Sequence, residues 1–133
     1  MVPLKQERTG HPLLNLSSVL KGVLVALIIT ILGCALLGVV YHVTSVTEKT
    51  LPLAATVLFY VSIFAGSASA ARDAGCKGLL HGIGVAVVFV ALAWLMSVFL
   101  LQVQGKALSL LVKGLTSCLA GGAGGILGVG LSR

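Results

Sequence analysis

Four apolar stretches, each long enough to cross a lipid bilayer and separated by connections of only a few residues, take up most of the chain. They predict helices over residues 19–43, 51–72, 78–101 and 107–131. A hydrocarbon core about 30 Å thick requires about 20 helical residues, and in lipid only helices or closed barrels satisfy their own backbone polar groups. Barrel strands are about ten residues long and alternate polar with apolar, whereas these stretches are continuously apolar. The expected fold is all-α: a polytopic, four-transmembrane-helix bundle at 19–133, preceded by a polar cytoplasmic segment at 1–18.

With 58% hydrophobic and 9% charged residues, the chain cannot clothe itself for water, so lipid must be the solvent for most of its exterior. The net charge of +6 is concentrated at the ends of the spans, where a basic excess reads as topology. With a cytoplasmic N-terminus, Lys5, Arg8, Lys21, Arg72, Lys77 and Arg133 lie inside and Lys49, Lys106 and Lys113 outside. That two-to-one bias favours both termini in the cytoplasm. No basic and aromatic surface lies outside the spans, which argues against nucleic acid as a partner. Ile31-Leu32-Gly33-Cys34 resembles a lipoprotein processing box, but the residues that follow stay apolar and read as an anchoring helix.

Two short words recur in the same order. Lys21-Gly22-Val23-Leu24 opens the first span and Lys77-Gly78-Leu79-Leu80 the third; Ser62 to Ala68 in the second and Ser117 to Ala123 in the fourth share Ser-x-x-Ala-Gly-x-Ala. The pattern suggests two repeated helical hairpins related by an axis along the membrane normal. On a helical wheel Gly114, Cys118, Gly121, Gly125 and Gly128 form one stripe of the fourth span, flanked by Ser117, Ala120 and Gly124. Small residues let helices approach closely, and 121/125 and 124/128 are both small-x-x-x-small pairs. Ser62, Gly66, Ser69 and Asp73 make a more polar stripe on the second span. The helix-packing candidates are therefore Ser62, Gly66, Gly114, Gly121, Gly124, Gly125 and Gly128, serving contacts within the chain or between copies.

The densest polar chemistry lies between the second and third spans, where Arg72, Asp73, Cys76, Lys77 and His81 fall within ten residues. Asp73 is placed to pair with Lys77 or His81. Gly75 suits the left-handed residue that ends a helix, and a cation at Arg72 complements the helix dipole. His81, bracketed by Gly78, Gly82 and Gly84, is an ionisable group about one turn into a span and thus a functional candidate. At the other end, Glu48 and Lys113 are candidates for a pair clamping the two hairpins. Cys34, Cys76 and Cys118 lack the spacing of a disulfide framework or a metal motif. No Ser-His-Asp set, phosphate loop, paired catalytic carboxylates or metal-ligand cluster is present. The expectation is no enzyme, no cofactor, no catalytic residue and no metal.

The run Ala74-Gly75-Cys76-Lys77-Gly78-Leu79-Leu80-His81-Gly82, together with the four spans and the Gly-rich last one, resembles the YrzE-like family of small four-helix membrane proteins of Gram-positive bacteria. The likeness covers almost the whole chain from Leu20 onward, with Leu79 where an aromatic is more usual. It implies a multi-pass bacterial plasma-membrane protein and supplies no activity. The first span lacks the embedded carboxylate of small multidrug exporters. The expected role is non-enzymatic: helix packing in the lipid bilayer, as a homo-oligomer or with a membrane-protein partner in an envelope complex. The alternative is a small homo-oligomeric channel or transporter whose polar route is lined by the second and third spans, at Ser62, Ser69, Asp73 and His81.

Overall fold

The structure is a computed structural model that describes residues 16–75, 77–102 and 106–132. Lys5, Arg8, Cys76 and Arg133 lie outside the described residues. Four helices form the bundle: α1 (Leu16–Val43), α2 (Leu51–Ala74), α3 (Gly78–Leu101) and α4 (Ala107–Leu131). All four are long and apolar enough to span a membrane. α1 begins at Leu16, three residues before the expected start at 19, and Ser18 is buried. α2 runs two residues past the expected limit, to Ala74.

The two ends of α2 have local causes. Pro52 opens α2, where a missing backbone N–H costs nothing. Gly75 closes it in the left-handed conformation (φ 68°), its N–H donating to the Ala71 carbonyl at 3.0 Å. Between α1 and α2 a single 3-10 turn, Glu48–Thr50, is fixed by the Thr50 hydroxyl. That hydroxyl donates to the Thr47 carbonyl and shares a 2.7 Å hydrogen bond with Tyr41 of α1.

Sequential helices are antiparallel neighbours, and α2 and α3 each pack against all three others. α1 and α4 lie on opposite flanks of that central pair. The buried apolar core is small and made of two clusters. Val19, Val23, Ala70 and Val85 join α1, α2 and α3, and Ala26, Ile63, Ala86 and Phe89 continue the seam toward the ring of Phe59.

Glycine sets the spacing of the remaining contacts. A Cβ on Gly22 of α1 would stand 2.6 Å from both the Ala70 Cβ and the Gly66 carbonyl oxygen of α2. One on Gly66 would stand 2.6 Å from the Gly22 carbonyl oxygen and 2.8 Å from the Ala26 Cβ. In the second hairpin Gly78 faces Gly125, and Gly82 faces Gly121, whose own Cβ would lie 2.5 Å from the Gly82 oxygen. The recurring sequence words superpose on this pattern. Gly22 against Ala70 corresponds to Gly78 against Gly125, and Ala26 against Gly66 corresponds to Gly82 against Gly121. Both hairpins thus cross at equivalent places.

The other face of α4 lies along α2, in parallel. Gly124 abuts the Phe64 carbonyl oxygen at 2.5 Å from its would-be Cβ, and Gly128 abuts Ala68 one turn on. Introducing a branched side chain at these points overpacks backbone against backbone, which nothing can relieve by a rotamer change. Gly82→Leu and Gly121→Leu should therefore lose about 1–3 kcal/mol or more of stability, read as a lower melting temperature in detergent. Gly38→Ala and Gly114→Ala, where a Cβ meets nothing within 4 Å, should hold or gain up to about 1 kcal/mol through helix propensity. Equal melting of the two groups would show that these crossings do not set the fold.

Candidate functional site

At the end of the bundle where α1 begins and α2 ends, three polar side chains meet. The Ser18 hydroxyl donates to Asp73 Oδ2 at 3.1 Å, and Lys21 Nζ lies 3.2 Å from the same oxygen and 3.5 Å from Oδ1. The carboxylate thus ties the last turn of α2 to the first turns of α1. This corrects the expected pairing of Asp73 with Lys77 or His81. Antiparallel packing of α1 on α2 carries the acid toward α1 and away from the turn that follows it. Lys21 and Asp73 remain well exposed, at 62% and 43% of their side chains, so their Coulomb attraction is screened. Ser18 is 1% exposed, and its hydroxyl depends on the carboxylate.

The polar stripe of α2 is largely consumed by α1. Gly66 packs on Gly22 and Ala26, and Asp73 holds Ser18 and Lys21. Ser62 is fully buried, with its hydroxyl returned to the Leu58 carbonyl one turn back at 2.8 Å; Ser69 is half-buried. The serine that reaches toward α3 is Ser67, also fully buried, which donates to the Gly82 carbonyl at 3.2 Å. Gly82 is therefore where three helices join, with Ser67 of α2 on its oxygen and Gly121 of α4 against its backbone.

His81, beside that junction, is 3% exposed. Its Nδ1 lies 3.0 Å from the Lys77 carbonyl oxygen and donates to it in the Nδ1–H tautomer. Arg72 and Lys77 are exposed. Lys77 precedes α3 in a left-handed conformation (φ 50°), an arrangement that a side chain other than glycine adopts uncommonly.

The two small-residue pairs of α4 divide between partners in the same chain. Gly121 and Gly125 face α3, and Gly124 and Gly128 face α2. Gly114 does not continue the stripe, since a Cβ there meets no atom within 4 Å; the helices have diverged at that end. Glu48 and Lys113 are both exposed, and the ion pair among the described residues is that of Lys21 with Asp73. The suggested clamp between Glu48 and Lys113 is not formed. α2 and α4 are linked there by Tyr60 and Thr116, whose hydroxyls share a 2.7 Å hydrogen bond. Among the described residues, no three His, Cys, Asp or Glu side chains converge as a metal would require.

Ser18, Lys21 and Ser67 as partners, and Tyr60 with Thr116, were not singled out by the sequence patterns. The first pairing had a usable signal: in an antiparallel hairpin the start of one span lies beside the end of the next, so Lys21 and Asp73 are natural neighbours.

Four membrane-length apolar helices closed into one bundle define a multi-pass membrane protein. Residues 15–128 match the model of the family described as Protein of unknown function (DUF3792), and the chain belongs to that family. No curated protein and no solved structure matches it.

Two substitutions separate the roles of these polar groups. Asp73→Ala strands the Ser18 hydroxyl and should destabilise the bundle more than Lys21→Gln does, and the part due to Lys21 should vanish in concentrated salt. Thermal melts at low and high ionic strength measure both. Ser117 is fully buried and its Oγ has no hydrogen-bond partner among the described residues, so Ser117→Ala should raise stability by about 1 kcal/mol. A loss on that substitution would mean the hydroxyl is engaged.

Proposed function

We propose that this chain is a non-enzymatic integral plasma-membrane protein of the YrzE-like kind, working through helix packing as a homo-oligomer or as a small subunit of an envelope complex. The observation that carries this reading is how the interior polar atoms are used. Ser18 and Ser67 are buried and bonded to a neighbouring helix, and Ser62 is buried and bonded to the turn before it, so these hydroxyls are taken up by the protein itself. Meanwhile at most 28% of the most apolar stretch of any span is buried within the chain. The rest is available to lipid or to other membrane helices. The glycine faces of α4 are already filled by α2 and α3, so contacts to a further chain fall to other surfaces, such as the exposed outer half of α1.

The six-to-three excess of Lys and Arg on the side of the termini supports a bacterial membrane orientation with both ends in the cytoplasm. A channel or transporter with a route along α2 and α3 is supported less well. Ser62 is sealed, Gly66 is covered by α1, and Ile63, Ala86 and Phe89 fill the space between.

Two measurements test the proposal together. In a background with Cys34, Cys76 and Cys118 replaced, Ser62→Cys should label with hydrophilic thiol reagents no faster than a lipid-buried control. Gentle solubilisation from the native membrane should yield a defined assembly with a second copy or a stoichiometric partner. Rapid labelling of Ser62→Cys in a folded protein would favour a route, and a monodisperse monomer would overturn the assembly reading.

A further inference from the structure

At the end of the bundle where α3 passes to α4, the helices splay around a cavity of about 430 Å³ between α2, α3 and α4. That volume is within the range of about 300–1,000 Å³ common for small-molecule sites. One wall is formed by Lys106, the N-cap residue of α4, and by Ser109, Leu110 and Lys113 of its first two turns. The walls from α2 and α3 are mostly apolar and aromatic, with Phe59 and Tyr60 from α2 and Trp94 from α3, and they also carry Thr56 and Ser97. Tyr60 is held in place by its 2.7 Å hydrogen bond to Thr116 of α4.

Charge and depth identify what fits. Both lysines are exposed, neither has an ion-pair partner among the described residues, and no carboxylate lines the cavity. Glu48, at the same end of the bundle, is not part of the lining. From Lys113 to Leu131, α4 measures about 27 Å, close to the hydrocarbon thickness of about 30 Å. Lys113 thus stands at the edge of the hydrocarbon, with Lys106 about 10 Å further out. Trp94 and Tyr60 lie about two turns in from the ends of their helices, at the level where aromatic side chains favour the membrane interface. A cavity at this depth, with Lys106 and Lys113 toward its outer end, Trp94 level with Ser109 between them and Phe59 and Tyr60 deeper, suits a phospholipid, which has a phosphate above and acyl chains below.

We infer that this cavity binds one anionic phospholipid of the adjoining leaflet, with Lys106 and Lys113 holding its headgroup and Phe59 and Trp94 lying against its glycerol and upper acyl region. The inference goes beyond the assembly role and does not depend on it. Trp94 is the single tryptophan of the chain, so its fluorescence reports on the cavity alone.

The test places the full-length protein in phosphatidylcholine nanodiscs doped with phosphatidylglycerol brominated on its acyl chains, and compares Trp94 quenching with that by brominated phosphatidylcholine. Phosphatidylglycerol should quench preferentially, and Lys106→Gln and Lys113→Gln should each lower its relative affinity about fivefold. Lys49→Gln, which removes a cation of the same end outside the cavity, should leave the preference intact. Helix content and gel-filtration behaviour confirm that the variants fold, which the exposure of both lysines favours. Equal quenching by the two lipids would overturn the inference, as would a preference that survives the double variant or falls as far with Lys49→Gln. A Trp94 response to inorganic phosphate in pure phosphatidylcholine, without any lipid preference, would assign the site to a soluble anion and overturn the lipid assignment.

Discussion

Everything in this bundle depends on backbones approaching each other without side chains between them. In lipid the apolar faces of two helices gain nothing by leaving one solvent for another, so association rests on close packing and on hydrogen bonds between helices. Gly82 concentrates both. Its carbonyl accepts from Ser67 of α2, and its backbone lies against Gly121 of α4. The two large fully buried side chains, Ile63 and Val85, are fitted around this close frame. A core of nine buried hydrophobic residues among the described ones is enough because dispersion at near-contact distance replaces the area term that dominates in water.

The two hairpins share a crossing geometry and differ in what closes their ends. Gly22 with Ala70 and Gly78 with Gly125 occupy equivalent positions. The acid that ties Ser18 and Lys21 to α2 has no counterpart in the second hairpin, where the position corresponding to Asp73 is Gly128. There the missing side chain admits α2 itself, at Ala68. One hairpin is clasped by charge at its terminal end, while the other is opened as a docking face for the first. The departure from symmetry is what converts two similar hairpins into one bundle. Toward the opposite end a Cβ on Gly114 meets nothing within 4 Å, and the cavity beside Trp94 lies there.

Much of this was legible in the residues, and the legible part was what lipid imposes on one helix at a time. Span number and three of the four starting points follow from the length of apolar runs, because each span must satisfy its own backbone in hydrocarbon. α1 starts three residues before the expected point, at Leu16. Ser18 is accommodated inside only because a carboxylate 55 positions away reaches it. The stripes on α2 and α4 were visible, yet their partners were not. A glycine row states that something comes close without stating what, and the row on α4 in fact serves two neighbours on two faces.

The sequence by itself therefore determined that this is a four-span, all-helical membrane protein with small-residue faces on its second and fourth helices. Hydropathy, length and the 3.6-residue period act locally and need no partner to be read. Only the tertiary structure decided that Asp73 turns to Lys21, that Ser67 rather than Ser62 bridges to α3, and that Lys106 and Lys113 share a cavity with Trp94. Those pairings depend on the rotation and register of one helix against another. Many sequence-compatible registers present an apolar face to lipid equally well, and the choice among them is made by which backbones can touch.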